Sequence, residues 1–246
     1  MRFLTCGMIW LLVSAGGVSA QEPAQLLPSK PVTIDAEQAY VGERIFQVVN
    51  AGEPAGLITV HTRFTESGHY VIHDHSASEL LGVDEEIMMI LDGQTFAPIR
   101  VQVHGRMGPN YVDFNWLWSE QAADGQAEIY NFETGALAHH VINREMPAGA
   151  LTRGTVLFLA NAMAIKEDAV IELNWFNTQN GQIRPITLTV VGSEQVTVPA
   201  GTFDTYKVTQ QGGQPGNTLY ITKEMPRRIV RFDVTGTDMQ LLLQSL

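Results

Sequence analysis

Residues 99–118, IRVQVHGRMGPNYVDFNWLW, decide the fold class. Ile99, Val101 and Val103 share one parity, with Arg100, Gln102 and His104 on the other. After Gly108-Pro109-Asn110 the alternation resumes, Val112, Phe114, Trp116 and Trp118 opposing Tyr111, Asp113 and Asn115. Successive side chains of a strand point to opposite faces, so the stretch reads as two strands joined by a turn, each with one buried and one wet face. Ile186, Leu188 and Val190 against Thr187 and Thr189 repeat the pattern.

Working outward, turn residues punctuate the chain at Asn50-Ala51-Gly52, Ser67-Gly68, Asp92-Gly93, Asp124-Gly125, Thr134-Gly135, Asn180-Gly181, Gly192-Ser193, Gly212-Gly213 and Thr235-Gly236. Turn signals spaced by roughly ten residues predict an antiparallel meander. The expected architecture is mainly β. A single antiparallel curved sheet of about a dozen strands forms an open barrel or sandwich over residues 41–246. One segment breaks the rhythm. Thr152 to Lys166, TRGTVLFLANAMAIK, lacks alternation and places Val156, Leu159, Ala160 and Met163 on one helical stripe. It predicts one short helix, of about ten residues, plugging the end or concave side of the sheet.

The N-terminus predicts export. Arg2 supplies a positive start, Met8 to Val13 an apolar core, and Val18-Ser19-Ala20 a small-x-small cleavage site. Residues 1–20 are therefore expected to be a signal peptide, too short for the ~20 apolar residues of a membrane span. Residues 21–40, with Pro23, Pro28 and Pro31, read as a flexible lead-in. Cleavage removes Cys6, the only cysteine, leaving no disulfide, thiol nucleophile or thiolate metal ligand. The expected location is periplasmic or secreted, with no membrane span after cleavage. Loss of Arg2 takes the net charge from −11 to −12, and such a surface repels phosphate backbones, so no nucleic-acid partner is expected.

The most distinctive run is Val196-Thr197-Val198-Pro199-Ala200-Gly201-Thr202-Phe203-Asp204-Thr205-Tyr206-Lys207-Val208. Pro199 fixes φ and Gly201 permits a left-handed position, so it reads as strand, tight turn, strand. It resembles the V-P-A-G-T-F-x-T-x-x-V signature of TapB-like exported proteins and the related family of domain of unknown function 3108. Phe46 to Val60 is similar to that family's opening hairpin, and Leu91 to Val101 to a later strand. Tyr220 to Ile229, with Pro226 and Arg228, is similar to its closing segment. The resemblance implies a curved sheet like that of periplasmic lipoprotein carriers, wrapped around a helix. It implies no activity and transfers no catalytic residue.

Candidate chemistry is sparse. His69, His73 and His75 share one parity, and neutral imidazoles at that spacing could share a Zn²⁺ or Cu²⁺ ion. His61 lies one hairpin earlier, and His139-His140 could contribute from elsewhere, whereas Asp74 points to the opposite face. Asp84-Glu85-Glu86 reads as a solvated turn. Phe114, Trp116, Trp118 and Trp175, with Phe176, form either core packing or the wall of an apolar ligand cavity. No nucleophile elbow, Ser-x-x-Lys pair, His-Glu-x-x-His helix or phosphate-cradling loop is present, so no catalytic residue and no cofactor are assigned.

The functional expectation is an exported binding or carrier module for a hydrophobic small molecule, a lipid or an envelope protein. The alternatives are a histidine-dependent metal-binding protein or hydrolase, and a structural envelope protein. An outer-membrane barrel would need strands of ~9–11 residues, and those here are expected to be shorter.

Overall fold

The computed structural model describes residues 26–28, 31–119, 122–178, 181–213 and 215–245, so the expected signal peptide lies outside the described residues. The first half of the chain is a run of long strands: β1 Gly42–Asn50, β2 Glu53–Phe64, β3 His69–Ser78, β4 Val83–Asp92, β5 Pro98–Met107, β6 Asn110–Trp118, β7 Ala122–Asn131 and β8 Leu137–Glu145. The quoted stretch is β5, a tight turn and β6, with Val101, Val103, Val112, Phe114 and Trp116 all buried. Ala51 and Gly52 join β1 to β2 with φ of 52° and 86°. Two left-handed residues in succession match the right-handed twist of the flanking strands.

The second half begins with the short β9, Leu151–Thr152, which runs into helix α1, Arg153–Leu159, and a 3-10 turn over Ala160–Ala162. It continues through β10 Val170–Phe176, β11 Ile183–Val198, β12 Gly201–Gln211, β13 Asn217–Thr222, β14 Ile229–Val234 and β15 Met239–Leu243. All fifteen strands form one sheet in the order β8-β7-β6-β5-β4-β3-β2-β1-β15-β14-β13-β12-β11-β10-β9. Two meanders thus meet where β1 pairs with β15, Phe46 opposite Leu243. β9 and β10 run parallel, which requires a crossover, and α1 supplies it. The sheet is a single one and is not closed, as expected.

Aromatic contacts show how far the sheet curls. Trp116 and Trp118 on β6 meet Phe176 on β10 edge-to-face at ring-centroid distances of 4.9 and 5.2 Å. Ten strands separate β6 from β10 along the sheet. The two flanks have therefore rolled towards each other around a common apolar interior, as expected of a strongly twisted sheet of this width. Trp116 Nε1 donates to the Thr178 carbonyl at 2.7 Å, which satisfies the indole inside the core.

α1 occupies that interior. All seven of its residues are buried, not a single stripe. A helix wrapped by a curled sheet meets protein on every side, so an apolar circumference replaces an amphipathic one. Thr152 caps it, its Oγ1 accepting from the Thr155 amide at 3.2 Å. The expected lead-in is tied down over part of its length. Asp35 N donates to the Ala162 carbonyl at 2.8 Å, Ile34 bridges Met163, and Asn174 exchanges two hydrogen bonds with the Leu27 backbone.

Strands β1–β8 have 9–12 residues and are longer than expected. Their outer face nevertheless reads polar. His75, Glu86, His104, Asp113, Glu128 and His139 lie opposite one another in a single row from β3 to β8. A lipid-facing band would be apolar there. No helix among the described residues is long and apolar enough to cross a membrane.

Candidate functional site

Four ionisable side chains are turned into the apolar interior. On β3, Asp74 falls in phase with Tyr70, Ile72 and Ser76, all buried. On β4, Glu85 falls in phase with Val83, Ile87, Met89 and Leu91. Ser76 lies directly opposite Glu85 and Asp74 opposite Ile87, so the two carboxyl groups are diagonal neighbours on the concave face. Above them lies the first turn of α1. Arg153, its first residue, is buried and faces Glu85 electrostatically, while its guanidinium stands 5.9 Å from the Trp175 ring centroid. Arg44 on β1 occupies the same cross-strand row as Val60 and Asp74. It is buried with its guanidinium over the Tyr40 ring, 4.7 Å from the centroid.

Burial sets the electrostatics of this group. It pushes Asp74 up to about 7, against a hydrogen bond from Ser76 Oγ at 3.2 Å and the attraction of His75. It holds Glu85 well above the usual carboxylate range, the Asp74 charge adding to the rise and Arg153 opposing it. Glu85 Oε1 has no hydrogen-bond partner among the described residues, as suits a carboxyl kept neutral. Burial pulls Arg153 down to about 9 against the pull of Glu85, so it stays cationic at neutral pH. Burial lowers Arg44 as well, Tyr70 and Tyr40 working against the shift.

The space beside these groups is small. Phe46, Ile58, Asp74, Ser76, Leu157 and Phe158 are among the residues around an enclosed cavity of about 20 Å³. That is room for about one water molecule, not for an organic substrate. The cluster can take up and release protons and can bias how α1 is seated. As it stands, it offers no place for a second reactant.

The aromatic residues behave similarly. Trp116 and Phe114 lie in the β6 core, Trp175 on β10 is buried beside Arg153, and Trp118 is partly buried against Phe176. The structure brings Trp116, Trp118 and Phe176 into one cluster, both indoles edge-to-face with Phe176 and tilted against each other. Their rings fill the seam where the flanks of the sheet approach.

The family described as "Protein of unknown function (DUF3108)" matches residues 40–243. The chain belongs to the DUF3108 family. The comparisons do not support the TapB-like part of the resemblance. Among solved structures, the chain is similar to a beta-barrel-like protein of domain of unknown function DUF1849 from Brucella abortus. The TM-score is 0.50 at 8% identity, covering 87% of this chain and 98% of that one. At that identity the likeness speaks for the fold alone. No curated protein matches the sequence.

His61, His69, His73 and His75 lie on the opposite, outer face of this DUF3108 sheet. His69, His73 and His75 are half-buried on β3, the side away from Asp74. His61 and His73 are directly opposite and stacked, with ring centroids 6.4 Å apart. The remaining contacts draw the imidazoles apart: His61 to Glu43 at 3.1 Å, His75 to Asp84 at 2.9 Å, and His69 Nδ1 to Ser67 Oγ at 3.2 Å. His139 and His140 are on β8, five strands away from β3. Among the described residues no group of three or more His, Cys, Asp or Glu side chains is placed to hold a metal ion.

The solvated-turn reading of Asp84-Glu85-Glu86 is corrected. All three are in β4, and only Asp84 and Glu86 face water. The signal was present in the sequence, because Glu85 keeps the phase of Ile87, Met89 and Leu91. Three consecutive acidic residues concealed it. Arg44 carried the same signal, in phase with Phe46 and Val48 on β1, whereas Arg153 gave none, since its burial follows from long-range packing.

Proposed function

We propose that this chain is an exported envelope protein that works as a non-catalytic binding module, engaging its partner through its surface. The observation that carries this reading is the filled interior. α1 is buried on every side and leaves an interior cavity of only about 20 Å³, whereas a larger, open cleft of about 610 Å³ lies at the surface among Leu57, Glu79, Asp84 and Arg106. Ligand pockets ordinarily offer about 300–1,000 Å³. The signal-like residues 1–20 support the export half of the proposal.

Native mass spectrometry of protein purified from the envelope fraction tests both halves. The expected mass is that of the chain from Gln21 onward, or a whole multiple of it, with neither an apolar adduct nor a metal. A one-to-one lipid-like adduct would overturn the surface reading, and an unprocessed N-terminus would overturn export. Such an adduct would favour a second reading, a carrier for a hydrophobic ligand that takes the place of α1. One observation supports that alternative. Charged residues lie beneath a helix whose other neighbours, Phe46, Ile58, Phe232 and Leu241, form an apolar trough.

A further inference from the structure

The two ends of the sheet are unlike. β9 has two residues, both buried, and is continued by α1. β8 has nine, and none is buried. Among the described strands β8 pairs with β7 alone, and among the described residues no backbone hydrogen bond uses its other side. Natural proteins blunt such an edge with proline, a bulge or a covering segment. β8, LAHHVINRE, contains no proline, and its pairing with β7 runs without a register shift from Leu137 to Glu145. Val141 at its centre is 72% exposed, more than any other large hydrophobic side chain among the described residues, and Leu137 is 65% exposed.

We propose that β8 is a self-association edge, pairing antiparallel with β8 of a second copy about a two-fold axis through Val141. This rests on the surface-binding reading and names its first partner. The strand's own sequence favours a second copy over another protein. A two-fold through Val141 overlaps all nine residues. It places Leu137 opposite Glu145, Ala138 opposite Arg144, His139 opposite Asn143 and His140 opposite Ile142. Arg144 and Glu145 are the only permanently charged residues on the strand, and neither meets its own kind. They cancel, making β8 a near-neutral stretch in a chain of net charge −11, where like-charge repulsion opposes association elsewhere. Opposing copies of Val141 stack at the axis on the outer face, and the contact is isologous, so it closes at two chains.

The single cysteine allows a direct test. In a Cys6→Ser background, Val141→Cys places two thiols across the axis at a Cα separation of about 4.5–5.5 Å, within disulfide range. Mild oxidation is expected to trap a covalent dimer of the purified full chain. Leu80→Cys, 70% exposed between β3 and β4, is expected to stay monomeric. Without cysteine substitutions, light scattering at tens of micromolar is expected to give twice the chain mass. Val141→Lys, which sets two like charges face to face, weakens the dimer by about tenfold or more while leaving the circular dichroism unchanged. A monomeric mass, Val141→Cys cross-linking no faster than Leu80→Cys, a dimer indifferent to Val141→Lys, or Val141→Cys trapping a different chain would each overturn the proposal. None of these outcomes alters the ligand-free mass expected above, so this inference can fail while the surface-binding reading stands.

Discussion

β3 and β4 carry the same kinds of side chain on their two faces and treat them in opposite ways. Inward, Asp74 and Glu85 are each 2% exposed and held towards their neutral forms by burial. Outward, His75 pairs with Asp84 at 2.9 Å in open solvent, and Glu86 continues a row of imidazoles and carboxylates. Asp74 and His75 are adjacent in sequence, as are Asp84 and Glu85. Parity, not composition, decides which carboxylate becomes a proton store and which becomes a solvated charge. Changes on the inner face should therefore be costly and pH-dependent, and changes on the outer face cheap.

The largest effect is expected at Asp74. Its folded value of about 7 exceeds the ordinary 3.8, so the native state keeps a proton that the unfolded chain releases. Stability is then fully present below about pH 4 and is lost as pH rises through 7, a change of roughly 4 kcal/mol at 1.36 kcal/mol per pH unit. Asp74→Asn keeps an acceptor for Ser76 and removes this titration. In urea melts the variant should match the wild type near pH 4 and pull ahead up to pH 8, less the cost of placing the new amide NH₂. A variant weaker by one constant amount at every pH would show that Asp74 is ionised in the fold at no cost.

A smaller inner-face effect is expected where the flanks of the sheet meet. Gly125 on β7 lies opposite Trp116, and a Cβ built there would fall on the indole ring. Trp116 is also held by Phe176 and by its bond to Thr178, so it has little room to yield. Gly125→Ala should cost about 1–3 kcal/mol by overpacking, read as a lower urea midpoint at unchanged m-value. A neutral result would mean that the seam between β6 and β10 is loose.

Much of this sheet was legible in sequence because alternation is local. Val101, Val103, Val112, Phe114 and Trp116 lie inside as their parity requires. The Pro199-Ala200 turn also stands where it was expected, with Val198 opposite Gly201. The interior site was legible only in part. Glu85 kept the inward phase, but nothing local announces that Arg153, more than sixty residues later, will close over it. That pairing depends on how far the sheet rolls, a property of twist summed over fifteen strands. The outer row from His75 to His139 was invisible for the same reason, since it draws one residue from each of six strands and has no sequence spacing at all.

The smallest effects belong to the outer face. Asp84→Ala removes an exposed partner of His75 and should change stability by less than about 1 kcal/mol, because exposed ion pairs contribute little against solvent screening. The same face sets the expectation for metal. The stacked pair His61 and His73 offers two imidazoles, but His61 is bonded to Glu43 and His75 to Asp84. A tight Zn²⁺ site needs three or four donors converging on one point, with further groups fixing their orientation. Equimolar Zn²⁺ should therefore move the Tm by less than about 2 °C, the response to under 1 kcal/mol in a domain of this size. His73→Ala and His75→Ala should leave that small response unchanged. A rise of several degrees that disappears in His73→Ala would place a metal on the outer face and end the division between an ionisable interior and an inert exterior.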